Sequence, residues 1–525
     1  MYSYYTNFKM VNSKNINKNT FYFSLLAITF ILFIGFNIIA LNDPIVVQHG
    51  FRQTHNALVS YYFIENGFSF AYEAPNWGEP WSVPHEFPIY QWIVAQLSNI
   101  FDIPLTFTGR LVSLIFGLLV AIPVFNILKI LKINQETIYI CFILIFSAPV
   151  FIYWSGTFMI ETSALFYSIC FIYYVIKIIL GNRDSLSLVL LSLFLTLALL
   201  QKITTAFPAL LVVSIIFLIY LLRNKRFIKE YKFTIKLAIS FIVPSLIFLA
   251  WFLFSDEVKQ LNPRAGHLSF ENSILWYFGA LQLRISDSLW LSNIFERNII
   301  PSSGIFIGFI SFLFFLVKNK NKELKKIVLI LLAFFLVPFF IHTKVHNAHK
   351  YYQVANFIYW SVLSGISIHF FFSEYLKVNT KKFLTLILVL FISNYAFFLH
   401  KYFFHYKSQL QEHNKRTILL GEYIQSNTDP DSPIVIFGYG GSSVLTFYSQ
   451  RKAVSVGGTG IDILNNINKY LSKAPSAFIL CPGMSSKGKV LPNAYDIKMT
   501  KKLIRENFSK YNNLQSVLDC EVISK

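Results

Sequence analysis

Charge is scarce in this 525-residue chain: 14% of its residues are Asp, Glu, Lys or Arg, against 55% hydrophobic residues that include 56 Phe. With a mean hydropathy of +0.52, this excludes a soluble protein of such size and makes the chain a polytopic membrane protein with lipid as part of its solvent. Cysteine is nearly absent. The four present, Cys141, Cys170, Cys481 and Cys520, show no CxxC or zinc spacing. The first two fall in apolar runs as small buried hydrophobes, whereas Cys481 and Cys520 can pair if their region is extracytoplasmic. No G-x-G-x-x-G is completed, so the Gly438-Tyr439-Gly440-Gly441 run reads as a turn between strand and helix rather than a phosphate loop. Repeats of 20–50 residues and long low-complexity linkers are also missing.

Bases outnumber acids 46 to 26, a formal net charge of +20. Placement removes the nucleic-acid reading, because Lys and Arg gather in short loops between apolar runs, as they do on the cytoplasmic side of membrane proteins. Segment 223–236 holds six of them, 318–326 five and 377–382 three, while the 66 residues from Asn42 to Phe107 contain one, Arg52. That gap predicts an outward-facing loop. Apolar runs near 20–41, 108–131, 137–153, 158–181, 185–200, 204–222, 233–254, 303–317, 324–342, 354–372 and 381–399 predict about eleven spans. The first follows Lys9, Lys14 and Lys18 without an A-x-A-like cleavage site, as a retained insertion signal does. An odd span number leaves the tail outside as well. The expected fold is therefore an all-α transmembrane region over 1–402 plus a small α/β domain over 403–525, where helix-like and strand-like segments alternate.

The loop at 42–107 is far longer than a connection needs. FRQTHNALVSYYFIENG and EFPIYQWIVAQLSNIF have the spacing of amphipathic helices lying along the membrane surface. The PNWGEPWSVP between them suits either an aromatic anchor at headgroup level or a surface for stacking on a sugar ring. Other conspicuous polar residues also fall on the predicted outer side. Glu161 opens the fourth span as a site residue or a helix cap. Lys202 stands between two spans as a site residue or a snorkelling lysine. HTKVHNAHKYYQ, residues 342–353, offers Lys350 and Tyr351 as a clamp for an anionic group; its three histidines lack a neighbouring carboxylate, which argues against zinc.

At these residues the chain resembles the polyprenyl-phosphate-sugar glycosyltransferases of the GT-C superfamily. HGFRQTHNALV, HEFPIYQWIVA, GRLVSLIF, MIETSALF and LLQK follow, in order, a bacterial pattern of H-G-W-R-Q-A-D-T-A, E-F-P-L-Y, G-R-L, M-P-E and a Lys. More distant relatives are the aminoarabinose transferases of lipid A and the protein O-mannosyltransferases. The resemblance covers about residues 20–360. It implies an inverting transferase in the bacterial cytoplasmic membrane that moves a sugar from an undecaprenyl-phosphate-linked donor to an extracytoplasmic glycan, lipid or protein acceptor. Residue by residue it points to Arg52 and Gln53, Glu86, Glu161 and Lys202. One departure stands out: where the family has Asp after R-Q-A, this chain has His55.

The residue types fit that chemistry. Glu86, then Asp43, then His55 are candidates for the base that takes the acceptor proton. Arg52, Lys202 and Lys350 suit the negative charge of a departing polyprenyl phosphate. A lipid-linked donor needs no diphosphate-binding metal, so no cofactor is expected, although Glu161 with another acid could hold a divalent ion. A lipid-linked glycan polymerase or a flippase is the alternative; a transporter would carry charge in mid-span, and here the charges gather at the outer ends.

Overall fold

A computed structural model describes residues 13–46, 48–223, 230–304, 306–410, 415–458, 460–484, 490–491 and 496–525. Lys9 and part of the basic segment 223–236 lie outside them. Among the described residues, seven helices are long and apolar enough to cross a membrane: Lys18–Ala40, Leu105–Ile130, Glu161–Ile179, Ile203–Leu222, Tyr231–Leu261, Lys322–Ile341 and Thr380–Ser408. Two bent pairs raise the number to nine, and Ser185–Gln201 is a shorter apolar helix. The remaining run, near 354–372, forms the helix Phe357–His369, in which every residue is buried.

Local chemistry explains where these helices start. Asn134, Asp184, Asn321 and Asn379 are N-caps whose side chains accept the free amides of Thr137, Ser187, Glu323 and Lys382, contacts that typically contribute about 1 kcal/mol each. The run at 137–153 is not a straight span. Ala148 is extended and Pro149 opens a new helix, so Gln135–Ser147 and Pro149–Ser155 meet at 57°; proline removes an amide and fixes the backbone. The core is rich in aromatic residues, with Trp154, Trp360, Phe146 and Phe151 almost fully buried. Outward faces stay apolar, as at Ile31, Leu222 and Leu246. In water such faces would aggregate, whereas hydrocarbon is their natural solvent.

In the first long loop, Gly50–Asn66 and Ile89–Phe101 are helices, the second following Pro88, as the spacing predicts. The C-terminal region contains a five-stranded sheet formed by β1 (Ile434–Phe437), β2 (Ala453–Val456), β3 (Ala477–Leu480), β6 (Asn513–Val517) and β7 (Cys520–Ser524), plus a small ribbon of β4 (Gly483–Met484) and β5 (Val490–Leu491). Strand order is β2-β1-β3-β7-β6. β1 pairs parallel to β2 and β3, while β7 runs antiparallel to β3 and β6. Cys481 and Cys520 form a disulfide at one end of β3 and β7, and Cys141 and Cys170 are free and buried. The sheet packs on the first loop, so loop and domain occupy the same side of the bundle.

Candidate active site

Two ion pairs lie side by side, one within the first loop and one between two spans. Arg52 is in the first turn of Gly50–Asn66 and its guanidinium bonds the carboxylate of Glu86. Glu161, the first residue of its span, bonds the ammonium of Lys202, and these side chains are only 2% and 3% exposed. Lys202 occupies a break between helices: Ser185–Gln201 ends there and Ile203 starts the next. Its Nζ stands 4.0 Å over the Tyr352 ring and 5.0 Å over that of Tyr351, an arrangement in which the ring faces attract the cation. The groups form one electrostatic unit, since Lys202 acts on Glu86 and both Arg52 and Glu161 act on the Tyr351 phenol.

The backbone around Glu86 is held firmly. Tyr72 is buried; its hydroxyl donates to the Glu86 carbonyl at 2.9 Å and accepts the His85 amide at 2.6 Å. The Phe87 amide reaches the Leu200 carbonyl at 3.1 Å. His55 faces His85 with ring centroids 5.0 Å apart, which places it next to Glu86. Burial alone would raise the Glu86 carboxyl, but the Arg52 guanidinium, with help from His85 and Lys202, outweighs that and holds it at about 2. Burial also lowers the His55 imidazole, to about 3, and the Arg52 charge adds to the effect. At neutral pH the site thus holds a charged Arg52–Glu86 pair beside neutral imidazoles.

The other predicted residues divide. Lys350 is exposed at the rim, where its charge reaches His49. Gln53 is buried and acts on the backbone: its Oε1 accepts the Phe158 amide at 3.2 Å and its Nε2 donates to the Gln48 carbonyl at 3.2 Å. Asp43 belongs to a neighbouring group, bonding Lys407 at 2.5 Å close to Tyr406 and Arg110. Arg110, from the GRL segment, is buried and donates to the carbonyls of Gly156 at 2.6 Å and Pro44 at 3.0 Å, so it fixes the chain just past the first span.

Several site residues escaped the sequence argument. His49, which opens the HGFRQTHNALV segment and is given no role there, adopts the left-handed backbone region at φ 59°. Its ring packs edge-on against Tyr351 at 5.0 Å and His349 at 5.1 Å, with Trp154 behind at 5.9 Å. A non-glycine residue in that region is uncommon and marks a place where the surroundings dictate conformation. Tyr72, Tyr352 and Tyr277, whose phenol feels the Glu86 charge, gave no signal beyond being aromatic. Among the described residues, no three His, Cys, Asp or Glu side chains gather as a metal site requires.

Known proteins share the fold that carries these residues. A family model described as dolichyl-phosphate-mannose-protein mannosyltransferase matches residues 23–258. ArnT from Cupriavidus metallidurans, solved bound to undecaprenyl phosphate, has a TM-score of 0.59 at 11% identity, covering 94% of this chain and 97% of that one. The archaeal oligosaccharyltransferase AglB from Archaeoglobus fulgidus, in complex with an inhibitory peptide and a dolichol-phosphate, gives 0.56 at 11% identity over 88% and 69% of the two chains. The arabinofuranosyltransferase AftD from Mycobacteria gives 0.51 at 10% identity, over 95% of this chain and 39% of its own. No curated protein matches the sequence. Likeness at such identities is one of fold, and that fold is the GT-C glycosyltransferase fold which the sequence motifs resemble.

Proposed function

We propose that the chain is an inverting glycosyltransferase that takes a sugar from an undecaprenyl-phosphate-linked donor at the outer face of the cytoplasmic membrane and passes it to a glycan, lipid or protein hydroxyl. The observation that carries this reading is the adjacency of the Arg52–Glu86 and Glu161–Lys202 pairs. Together they offer a carboxylate for the acceptor and two cations for a phosphate. In the transfer, the acceptor oxygen bonds the anomeric carbon from the face opposite the phosphate and the bond from that carbon to the phosphate oxygen breaks. The hydroxyl proton passes to Glu86 and polyprenyl phosphate departs with the negative charge.

A carboxyl held at about 2 is a poor base. Donor phosphate competes for the Arg52 guanidinium, which bonds phosphate as readily as carboxylate. Once Arg52 turns to the phosphate, burial is the dominant influence on Glu86 and its basicity rises, so donor binding primes the base. Lys202, Lys350 and Tyr351 complete the phosphate clamp. His55 is a neutral neighbour able to relay the proton. A divalent ion is not required by this scheme. The outer placement is supported by the single basic residue between Asn42 and Phe107 and by the Cys481–Cys520 disulfide on the same side, since disulfides persist in oxidising compartments.

The test is transfer of radiolabelled sugar from a panel of undecaprenyl-phosphate sugars, using membranes that carry the intact chain or Glu86→Gln. Label moved by the intact protein and lost in an equally expressed variant supports the assignment. Full activity in Glu86→Gln removes Glu86 as the base.

A further inference from the structure

The C-terminal domain grips the active-site loop at two points, one on each arm of the Arg52–Glu86 pair. On the Arg52 arm, buried Ser443 donates its hydroxyl to the Phe51 carbonyl at 2.8 Å. The same Oγ lies 2.9 Å from the hydroxyl of fully buried Thr54. Both contacts fall in the helical turn that carries Arg52. On the Glu86 arm, Asn76 is buried and spends its whole amide on the domain: Nδ2 donates to the Gly441 carbonyl at 2.8 Å, and Oδ1 accepts the Thr446 hydroxyl at 2.8 Å. The backbone beside it runs along β2, with Ala453 N to Pro75 O at 3.0 Å, Ser455 N to Asn76 O at 3.1 Å and Gly78 N to Ala453 O at 3.2 Å. Residues 75–78 therefore close the β2 edge of the sheet. A Cβ at Gly441 would lie 2.4 Å from the Trp77 ring, so glycine permits this approach.

We infer that Ser443 and Asn76 are positioning residues through which the C-terminal domain sets the separation of Arg52 from Glu86; this rests on the transferase reading above. Neither touches the ion pair. Both sit where the chain on either side of it meets a rigid sheet, and both commit buried hydrogen bonds across that join. A displacement of about 1 Å at a reacting centre is enough to cost on the order of a hundredfold in rate, so a domain remote from the chemistry governs it through these two anchors.

The experiment compares the full chain in lipid nanodiscs with Ser443→Ala, Ser443→Thr and Asn76→Ala, by amide exchange and by kinetics. Expected are faster exchange in residues 50–56 for Ser443→Ala and in residues 72–88 for Asn76→Ala, with spans 105–130 and 161–179 unchanged. Sugar transfer falls about tenfold in kcat with donor KM altered less than twofold, and Ser443→Thr, which keeps the hydroxyl, recovers most of the loss. Unchanged exchange, unchanged kcat in a protein with loosened arms, or exchange raised equally in the spans each overturns the inference. An intact chain that transfers no sugar sinks the transferase reading, and the exchange pattern then decides the anchoring by itself.

Discussion

The amide of Phe87 donates to the carbonyl of Leu200 at 3.1 Å, and this bond joins the two halves of the site. Phe87 follows Glu86, and Leu200 precedes the break that delivers Lys202. The partner of Arg52 and the partner of Glu161 are thus held on one backbone bridge, which is why two pairs from four chain segments act as one electrostatic unit.

Lys202→Met is expected to destabilise the fold by about 3–5 kcal/mol, because it leaves the Glu161 carboxylate buried without its cation. Glu161 Oε1 has no hydrogen-bond partner among the described residues, so no second hydrogen bond compensates. The double variant Glu161→Leu with Lys202→Met recovers most of the melting temperature and remains inactive. Thermal unfolding in detergent together with the transfer assay checks both halves.

Tyr72→Phe removes the hydroxyl that holds the His85 amide and the Glu86 carbonyl. A buried amide left unmatched costs about 1–3 kcal/mol. The expected result is a melting temperature lowered accordingly and an initial transfer rate reduced about tenfold, measured on protein that elutes as the intact chain does.

Stability should fall steadily as pH drops from 7 to 3. Burial puts the imidazoles of His55 and His349 at about 3 and that of His49 at about 4, against an ordinary 6.5. The unfolded chain binds protons at these groups that the folded chain refuses, so their contribution is full above 6.5 and is lost as pH falls toward 3. Glu86, at about 2 against an ordinary 4.5, contributes above 4.5 and loses its share between 4.5 and 2. Melting curves across pH separate the two: His55→Gln flattens the decline between 6.5 and 4.5, where Glu86→Gln leaves the slope unchanged.

Maleimide labelling of denatured, unreduced protein from membranes should find two thiols, Cys141 and Cys170, and four after reduction. Four thiols before reduction would contradict both the Cys481–Cys520 bond and the outward placement of the domain. The closed loop, with a sequence separation of 39, corresponds to about 4 kcal/mol in the chain-entropy picture, so reduction also lowers the unfolding temperature of the domain.

Much of this site was legible in the sequence because membrane chains leave charge where it is used. Arg52, Glu86, Glu161 and Lys202 stood out against apolar surroundings, and the structure brings all four together. Their partners were not legible: the pairs span 34 and 41 residues, and no local pattern says which acid meets which base. Asp43 and Gln53 passed the same test of residue type yet serve Lys407 and the backbone of Phe158. Element types in the C-terminal region followed the alternation of pattern from Lys415 to Leu480, whereas the antiparallel β6–β7 pair gave no expectation, its first strand being exposed and polar. The bend at Ala148 hid inside a continuous apolar run, since hydropathy does not register a proline that starts a new helix.

The anchoring of the loop by the sheet also sets an order in biosynthesis. Gly441 is made 365 residues after Asn76, an interval of roughly 20–70 s at about 5–20 residues per second. For nearly all of it, Arg52 and Glu86 have been made while the strand at 75–78 has no partner. A chain released after its last span carries every charged group of the site and lacks the surface that spaces them. On the transferase reading, completion of the segment from Gly441 to Val456 is thus the step that sets the spacing of Arg52 and Glu86.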